Sequence, residues 1–341
     1  MENISSSLAP AEWITISHAS DVGAARRGGQ ALATQLGMSE TRAGQLAIVI
    51  TEAATNVLKH AGEGRLLVSI ASHGGQRCIE VLALDNGPGI TNLAQAMLDG
   101  VSSAGTSGTG LGAMRRLADQ LDVYAPPGKG TALLARLWLD PAAAAQPVRI
   151  GGVCLPLAGE TECGDAWAVT QQQGRVTLLM ADGLGHGPEA AKASAAAVQT
   201  LAAAPGHAPQ RLMDECHQAL RPTRGAAMAI AELDPATAQL RFAGIGNIGA
   251  CIIEDGARRQ LMSHNGIVGH NVRKVHELVF DCPAGALVVL ASDGITTQWD
   301  LAQYPGLTAR APALIAGILL RDHSRGRDDA SVLVMTTAES A

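Results

Sequence analysis

Val176-Thr-Leu-Leu-Met-Ala181 runs directly into Asp182-Gly-Leu-Gly-His-Gly187, and this junction decides how the second half of the chain is read. The apolar run has the length of a buried strand, and Asp-Gly stops it. The pattern recurs: 286–291 is apolar and leads into Ser292-Asp-Gly294. It appears once in reverse order, where Arg327-Asp-Asp329 precedes the apolar stretch 330–335, and Gly164-Asp165 opens a further strand-like segment. One Asp-Gly pair is more often a turn than a ligand. Carboxylates at the ends of several strands are harder to assign to turns, because the strands of a sheet bring their ends together. Carboxylates at close quarters repel unless a cation neutralises them. Oxygen-only donors suit Mg²⁺ or Mn²⁺ rather than Zn²⁺, and two such ions about 3.5–4 Å apart support an in-line phosphoryl displacement.

Outward from that junction, strands are expected at 165–171, 175–181, 226–233, 238–243, 248–254, 276–281, 286–291 and 330–336. Helices are expected at 188–203, 208–219 and 311–320. Many antiparallel strands with few helices suggest a layered α/β/β/α sandwich over 149–341. The stretch Asp140-Pro-Ala-Ala-Ala-Ala-Gln-Pro147 has two prolines and no hydrophobic period. It reads as a linker, 141–148, behind a first domain at 1–140. That domain mixes helices at 20–36, 39–60 and 109–121 with strands at 65–71, 77–84 and 131–139, an α+β pattern.

Composition removes several function classes. The chain has 341 residues, enough for two domains, and a formal net charge of −6 with scattered Lys and Arg, so no basic field awaits a nucleic acid. Only 2% of residues are aromatic, which leaves no platform for base stacking. No apolar run reaches the roughly 18 residues of a membrane span, and the N-terminus lacks a signal-peptide core. The expectation is a cytoplasmic protein with neither nucleic-acid nor membrane partners. Six cysteines form no C-x-x-C pair and read as small structural thiols.

The first half holds three further elements. In the helix expected around 48–61, Glu52, Asn56 and Lys59 share one face at i, i+4 and i+7. That stripe either faces water or lines a nucleotide and Mg²⁺ site. Asp85-Asn-Gly-Pro-Gly-Ile90 follows an apolar strand and reads either as a turn or as an Asp that accepts from an exocyclic amine such as adenine's. Gly105-Thr-Ser-Gly-Thr-Gly-Leu-Gly112 opens a helix, where backbone N–H groups approach phosphates. It is neither a Walker A loop nor a Rossmann fingerprint.

Together and in this order the three elements resemble the GHKL ATPase fold (Bergerat α/β sandwich). Thr51-Glu-Ala-Ala-Thr-Asn56 resembles the N box of the anti-sigma-factor and RsbT-like serine kinases. The resemblance implies ATP with Mg²⁺, with Asn56 on the metal and Glu52 as general base. It puts Asp85 and Gly89 at adenine, Gly108, Gly110 and Gly112 on the phosphates, and Thr131 of Gly128-Lys-Gly-Thr131 beside the base. The carboxylate motifs of the second half resemble the SpoIIE- and RsbX-type branch of the metal-dependent (PPM) serine/threonine phosphatases. There the resemblance implies two Mn²⁺ or Mg²⁺ ions held by Asp165, Asp182, the Gly183 carbonyl, Asp293 and Asp328, with Asp329 a further candidate, and hydrolysis without a phosphoenzyme. His186 reads either as a general acid or as a residue that orients its loop. Arg149 and Arg327 read either as phosphate-binding cations or as ordinary surface arginines, and the sequence does not place a phosphate-binding Arg. Asn247 lies in a glycine-rich stretch that reads as a hairpin turn or as part of a substrate groove.

The expected function is a bifunctional signalling regulator. Its phosphatase half would dephosphorylate phosphoserine or phosphothreonine on a partner supplied in trans, by resemblance a STAS-domain antagonist in a partner-switching system. Its ATP-binding half acts either as a serine kinase or as a non-catalytic nucleotide sensor or docking module.

Overall fold

A computed structural model describes residues 4–97, 110–140, 148–272 and 274–337. The chain divides into two compact units: 9–72 with 76–145, and 146–341 joined by 1–8 and 73–75. The elements of the first stretch are β1 (Ile4–Ser6), β2 (Ala11–Ile16), α1 (Ala19–Leu36), α2 (Glu40–Ala61), β3 (Gly64–His73), β4 (Gln76–Asp85), α3 (Leu93–Ala96), α4 (Gly110–Leu117), β5 (Gln120–Tyr124) and β6 (Thr131–Trp138). The second stretch holds β7 (Val148–Leu155), β8 (Asp165–Gln172), β9 (Arg175–Gly183), α5 (Pro188–Ala203), α6 (Pro209–Ala219), β10 (Ala226–Asp234), β11 (Gln239–Ile245), β12 (Gly249–Glu254), β13 (Ala257–Leu261), β14 (Leu278–Asp281), β15 (Leu287–Ala291), α7 (Pro312–His323) and β16 (Ala330–Thr337). No described helix is long and apolar enough to cross a membrane.

The N-terminal unit is a five-stranded sheet, β2-β3-β4-β6-β5, with helices on one face. Alternation along β4 and β6 turns Ile79, Val81, Ala83, Leu133, Ala135 and Leu137 into one core with α1 and α2. α2 starts at Ser39, whose side chain accepts from the Arg42 N–H, and it buries Leu46, Val49, Ile50, Ala53 and Val57. That leaves Glu52 and Asn56 on its half-buried flank. The expected helix over 109–121 is shorter, and Gln120–Tyr124 is a strand instead. Asp119 accounts for the stop: its carboxylate accepts from the Trp138 N–H at 2.8 Å and pairs with Arg42, tying the chain to β6 just where a helix would have to continue.

The C-terminal unit stacks two antiparallel sheets, β1-β8-β9-β10-β11-β14 and β13-β12-β15-β16-β7. Between them Trp167, Val169, Leu178, Met180, Phe242, Val288, Leu290, Leu333 and Met335 form the inter-sheet core. α5 and α6 cover the outer face of the first sheet through a core rich in alanine, including Ala193 and Ala197, and α7 lies on β7 and β16. With so few aromatic residues, close packing rests on small side chains that let the layers approach.

Periodicity does not reveal every strand. β2 is a short, largely exposed edge strand of the first sheet. β7 begins at Val148, which the sequence reading places at the end of the linker; the rest of that linker lies outside the described residues. β13 is likewise an exposed edge strand. β1 pairs with β8, Ile4 opposite Thr170 and Ser6 opposite Ala168, so residues assigned to the first domain supply an edge strand to the sheet of the second unit. Ser7 extends the pairing: its N–H donates to the Trp167 carbonyl at 3.0 Å and its hydroxyl accepts from the Trp167 N–H at 2.9 Å.

Candidate functional site

The inter-sheet core ends in a polar layer, and strand periodicity places it. Along β8 the core-facing residues are Val169 and Trp167, and the next with the same parity is Asp165. Along β9 Leu178 and Met180 face the core, and Asp182 follows. Asp165 and Asp182 are register partners, so both carboxylates lie on one face, with Cβ atoms about 4.5–5.5 Å apart. The opposing sheet contributes Ser292 beyond Leu290, and Ser331 and Asp329 before Leu333, by the same alternation. Asp293 and Asp328 stand at the ends of those two strands. Gly294 is required by close approach, since a Cβ there would lie 2.0 Å from the Asp329 carbonyl oxygen.

The electrostatics are those of crowded like charges. Burial, and then the charges of Asp165, Asp293, Asp328 and Asp329, push Asp182 well above the ordinary carboxylate range. Burial raises Asp165 as well, opposed by the Ser292 hydroxyl and reinforced by Asp329. Asp293 is raised by burial and by Asp328, against Arg325 and Asn247. Asp165 Oδ2 is buried without a hydrogen-bond partner. Among the described residues no three His, Cys, Asp or Glu side chains close around a single point as a finished chelate. What the carboxylates share is a neighbourhood, a mutual repulsion and one unsatisfied anionic oxygen. A hard divalent cation relieves all three, so the donor set fits Mg²⁺ or Mn²⁺.

Other expected site residues separate into roles. Asp329 is 2% exposed, and its two oxygens accept from the Leu157 and Gly164 N–H groups, each at 2.8 Å. It thus pins the segment that delivers Asp165. His186 is exposed, and its Nδ1 lies 2.6 Å from Glu160 Oε1. The loop residue therefore makes a polar tie and is not packed. Arg149 sits six residues along β7 from Leu155, which pairs with Ala330, and so lies roughly 20 Å from the carboxylates. Arg325 is close enough for its charge to act on Asp293, and Arg224 Nη1 lies 2.9 Å from where a Gly185 Cβ would stand, in the loop that follows Asp182. Arg325 N–H also donates to the Gly294 carbonyl at 2.8 Å. Asn247 does occupy the turn between β11 and β12, and its Nδ2 donates to Asp293 Oδ2 at 2.7 Å. Glu160 and Arg224 carry no motif of their own, and the fold brings them to the loop that follows Asp182, whereas Arg325 lies three residues before Asp328 in the sequence.

In the N-terminal unit Glu52 and Asn56 lie one turn apart on α2, and Gly110 opens α4 against them. A Cβ at Gly110 would lie 2.8 Å from Glu52 Oε2 and 3.6 Å from Asn56 Oδ1. The glycine-rich stretch therefore ends on the α2 stripe; Gly112 is buried in α4, and Gly108 lies outside the described residues. Lys59, the third residue of the stripe, is exposed. Asp85 ends β4 in register with Thr131 at the start of β6. Its Oδ1 accepts from the Gly87 N–H at 2.8 Å and the Thr131 N–H at 3.0 Å. Gly89 has φ 72°, and a Cβ there would meet the Pro126 carbonyl oxygen at 2.2 Å. Gly87 and Pro88 carbonyls accept from the Gly130 and Gly128 N–H groups, which fastens the loop after β4 to the loop before β6. Asp85, Gly89 and Thr131 are thus one constructed cradle, and Glu52, Asn56 and Gly110 another in the same unit.

A kinase-like ATPase unit followed by a two-sheet phosphatase sandwich is the class that this fold and these motifs define. Comparison with known proteins agrees. Residues 16–137 match the family described as histidine kinase-like ATPase domain, and residues 172–338 match the family described as stage II sporulation protein E (SpoIIE). The serine/threonine-protein kinase RsbT of Bacillus subtilis (strain 168) is 33% identical over 119 residues, covering 35% of this chain and 90% of RsbT. A chain from the structure described as "The bacterial stressosome: a modular system that has been adapted to control secondary messenger signaling" superposes with a TM-score of 0.52 at 29% identity, over 56% of this chain and all of that one. RsbX in complex with magnesium superposes with a TM-score of 0.52 at 16% identity, over 64% of this chain and all of RsbX, a likeness of fold. The chain belongs to the family of RsbT through its histidine kinase-like ATPase domain, and this domain is fused to a segment, 172–338, that matches the SpoIIE family.

Proposed function

We propose that the chain removes phosphate from phosphoserine or phosphothreonine of a STAS-domain partner in a partner-switching circuit, and that its ATP-binding half phosphorylates a protein of the same circuit. The observation that carries the first part is the in-register pair Asp165 and Asp182 at the end of the inter-sheet core, with Asp293 and Asp328 at neighbouring strand ends. In this reading Asp165, Asp182, the Gly183 carbonyl, Asp293 and Asp328 hold two Mn²⁺ or Mg²⁺ ions. When bound, the ions supply Lewis acidity toward water and neutralise charge on the phosphoryl oxygens. The chain's own residues do the rest. Asp329 fixes the backbone that bears Asp165. Asn247 orients Asp293 through its amide. Arg325 and Arg224 place positive charge where a phosphoryl group must approach crowded carboxylates. No side-chain nucleophile is needed, and the cysteines stand outside the chemistry.

The test is phosphate release from a phosphoserine STAS-domain protein with and without Mn²⁺. Release is expected only with metal, and Asp293→Asn is expected to lose it by on the order of a hundredfold or more. Equal release from both proteins would remove Asp293 from the site.

For the ATP half, the contact of Gly110 with Glu52 and Asn56 supports a phosphate end, and the Asp85–Thr131 cradle an adenine end. The 33% identity to a serine/threonine-protein kinase favours transfer over mere sensing. Glu52→Ala is expected to abolish transfer from labelled ATP to a STAS-domain protein while ATP binding persists, because a general base acts on the acceptor and not on the nucleotide. Transfer that survives the substitution excludes Glu52 as base, and no transfer by the unaltered chain favours the sensor reading.

A further inference from the structure

The phosphatase reading leaves the cysteines without a task, yet two of them meet beside the site. Cys154 Sγ and Cys163 Sγ lie 3.0 Å apart, and Cys154 Sγ also lies 3.3 Å from the Asp165 carbonyl oxygen. Both are half-buried, whereas Cys78, Cys216, Cys251 and Cys282 are buried. Cys154 belongs to β7 and Cys163 directly precedes Gly164-Asp165. Between them runs a segment that carries Glu160, the partner of His186, and that Asp329 holds at the Leu157 N–H within it and at the Gly164 N–H just past Cys163. A disulfide, at about 2.0 Å, needs the sulfurs to close by only about 1 Å.

We propose that Cys154 and Cys163 are an oxidation site: a peroxide converts them to a reversible intramolecular disulfide that lowers phosphatase turnover. The effect on turnover rests on the phosphatase reading; the disulfide does not. With peroxide, one thiol sulfur attacks an oxygen, the O–O bond breaks, and a sulfenic acid and one water result. The second sulfur then attacks the sulfenic sulfur, and the S–OH oxygen leaves with the second thiol's proton as another water. The two thiols lose two electrons and the peroxide gains them. Bond formation removes the thiol hydrogens, and with them the Cys154 contact to the Asp165 carbonyl, and draws the residue before Gly164 toward β7. The carboxylate of Asp165 sits one residue beyond. Intracellular disulfides of this kind are typically transient and regulatory.

The experiment treats the full chain with hydrogen peroxide, blocks remaining thiols, and maps peptides by mass spectrometry. In parallel it follows p-nitrophenyl phosphate hydrolysis with Mn²⁺, for the unaltered chain, Cys154→Ser and Cys163→Ser. The expected result is a Cys154–Cys163 peptide two hydrogens lighter than the reduced pair. Turnover should fall by on the order of tenfold, the scale on which groups behind metal ligands act. Dithiothreitol should reverse both changes, and both serine variants should keep their turnover under oxidant. Absence of the joined peptide overturns the site. A joined peptide with unchanged turnover, or equal inactivation of the serine variants, overturns its effect on the phosphatase. If the reduced chain hydrolyses neither p-nitrophenyl phosphate nor the phosphoserine STAS-domain protein, the phosphatase reading has failed separately. The mass map still decides the disulfide, and the Mn²⁺-induced rise in Tm, compared between oxidised and reduced chains, decides its effect on the carboxylates.

Discussion

Asp182→Asn is expected to remove most of the Mn²⁺-dependent phosphate release and, at the same time, to make the metal-free chain harder to unfold at neutral pH. Asp182 lies opposite Asp165 in the strand register, and burial and the neighbouring carboxylates raise its pKa. A group whose folded pKa lies above its unfolded value stabilises the fold below the unfolded pKa, and that stability is lost as pH rises through the folded value. For Asp182 the loss begins near the ordinary carboxylate value and continues upward through neutrality. At pH 7 without metal the native chain therefore carries a penalty that asparagine removes. The gain is roughly 1–3 kcal/mol, since a tenfold difference in proton affinity between the folded and unfolded chain is worth about 1.4 kcal/mol. Mn²⁺ should reverse the order. The unaltered chain gains about 2.7 kcal/mol when the ion stands at a hundred times its dissociation constant, and the variant, short of one anionic ligand, gains much less. Activity should fall by about 100- to 1,000-fold, the rate equivalent of several kcal/mol of lost charge stabilisation. Thermal unfolding across pH 5–8, with and without Mn²⁺, reads the crossing. If the variant is less stable than the parent in both conditions, Asp182 is a structural carboxylate and not part of a metal site.

That crossing depends on features of unequal legibility. The strand ends are legible because apolar runs and Asp-Gly or Asp-Asp junctions are local: strands are expected at 165–171, 175–181 and 330–336, and β8, β9 and β16 lie there. The helix over 188–203 agrees with α5, since Pro188 marks its first turn. Parity then follows from the pleat, so Trp167 and Met180 alone suffice to put Asp165 and Asp182 on the core side. What local pattern cannot carry is partnership across distance. Ile4–Ser6 is three residues long, without a period, and its partner strand begins at Asp165. Glu160 meets His186, and Asn247 meets Asp293, across 26 and 46 residues respectively. Local pattern does not tell Arg149 from the arginines beside the Asp-Asp motif; topology puts Arg149 at the far end of β7, while the Arg325 N–H donates to the Gly294 carbonyl. Asp328 and Asp329 are adjacent and identical in type, yet strand alternation turns Asp329 toward backbone amides and leaves Asp328 exposed.

In the ATP half the corresponding experiment separates a cradle from a ligand contact, and it needs two substitutions at one residue. Asp85→Ala is expected to lose both fold stability and ATP affinity, whereas Asp85→Asn is expected to keep the fold and lose the affinity. Asp85 Oδ1 accepts from the Gly87 and Thr131 N–H groups, which closes the turn after β4 onto the start of β6. Alanine leaves two partly buried N–H groups without an acceptor, a cost of about 1–3 kcal/mol each. Asparagine still offers Oδ1 as an acceptor, so the turn survives with a change of about 1 kcal/mol or less. Its second polar atom, however, becomes an N–H donor, which opposes the exocyclic amine of adenine instead of accepting from it. Losing that bond and setting two donors face to face should weaken ATP by on the order of a hundredfold. Calorimetric titration with a non-hydrolysable ATP analogue and thermal unfolding of the same samples read the two quantities independently. Should Asp85→Asn bind the analogue as tightly as the unaltered chain, the carboxylate serves the turn alone. The base would then have to be recognised by backbone groups of the Gly89 and Thr131 loops, which the backbone hydrogen bonds from Gly128 and Gly130 hold together alongside the Asp85 carboxylate.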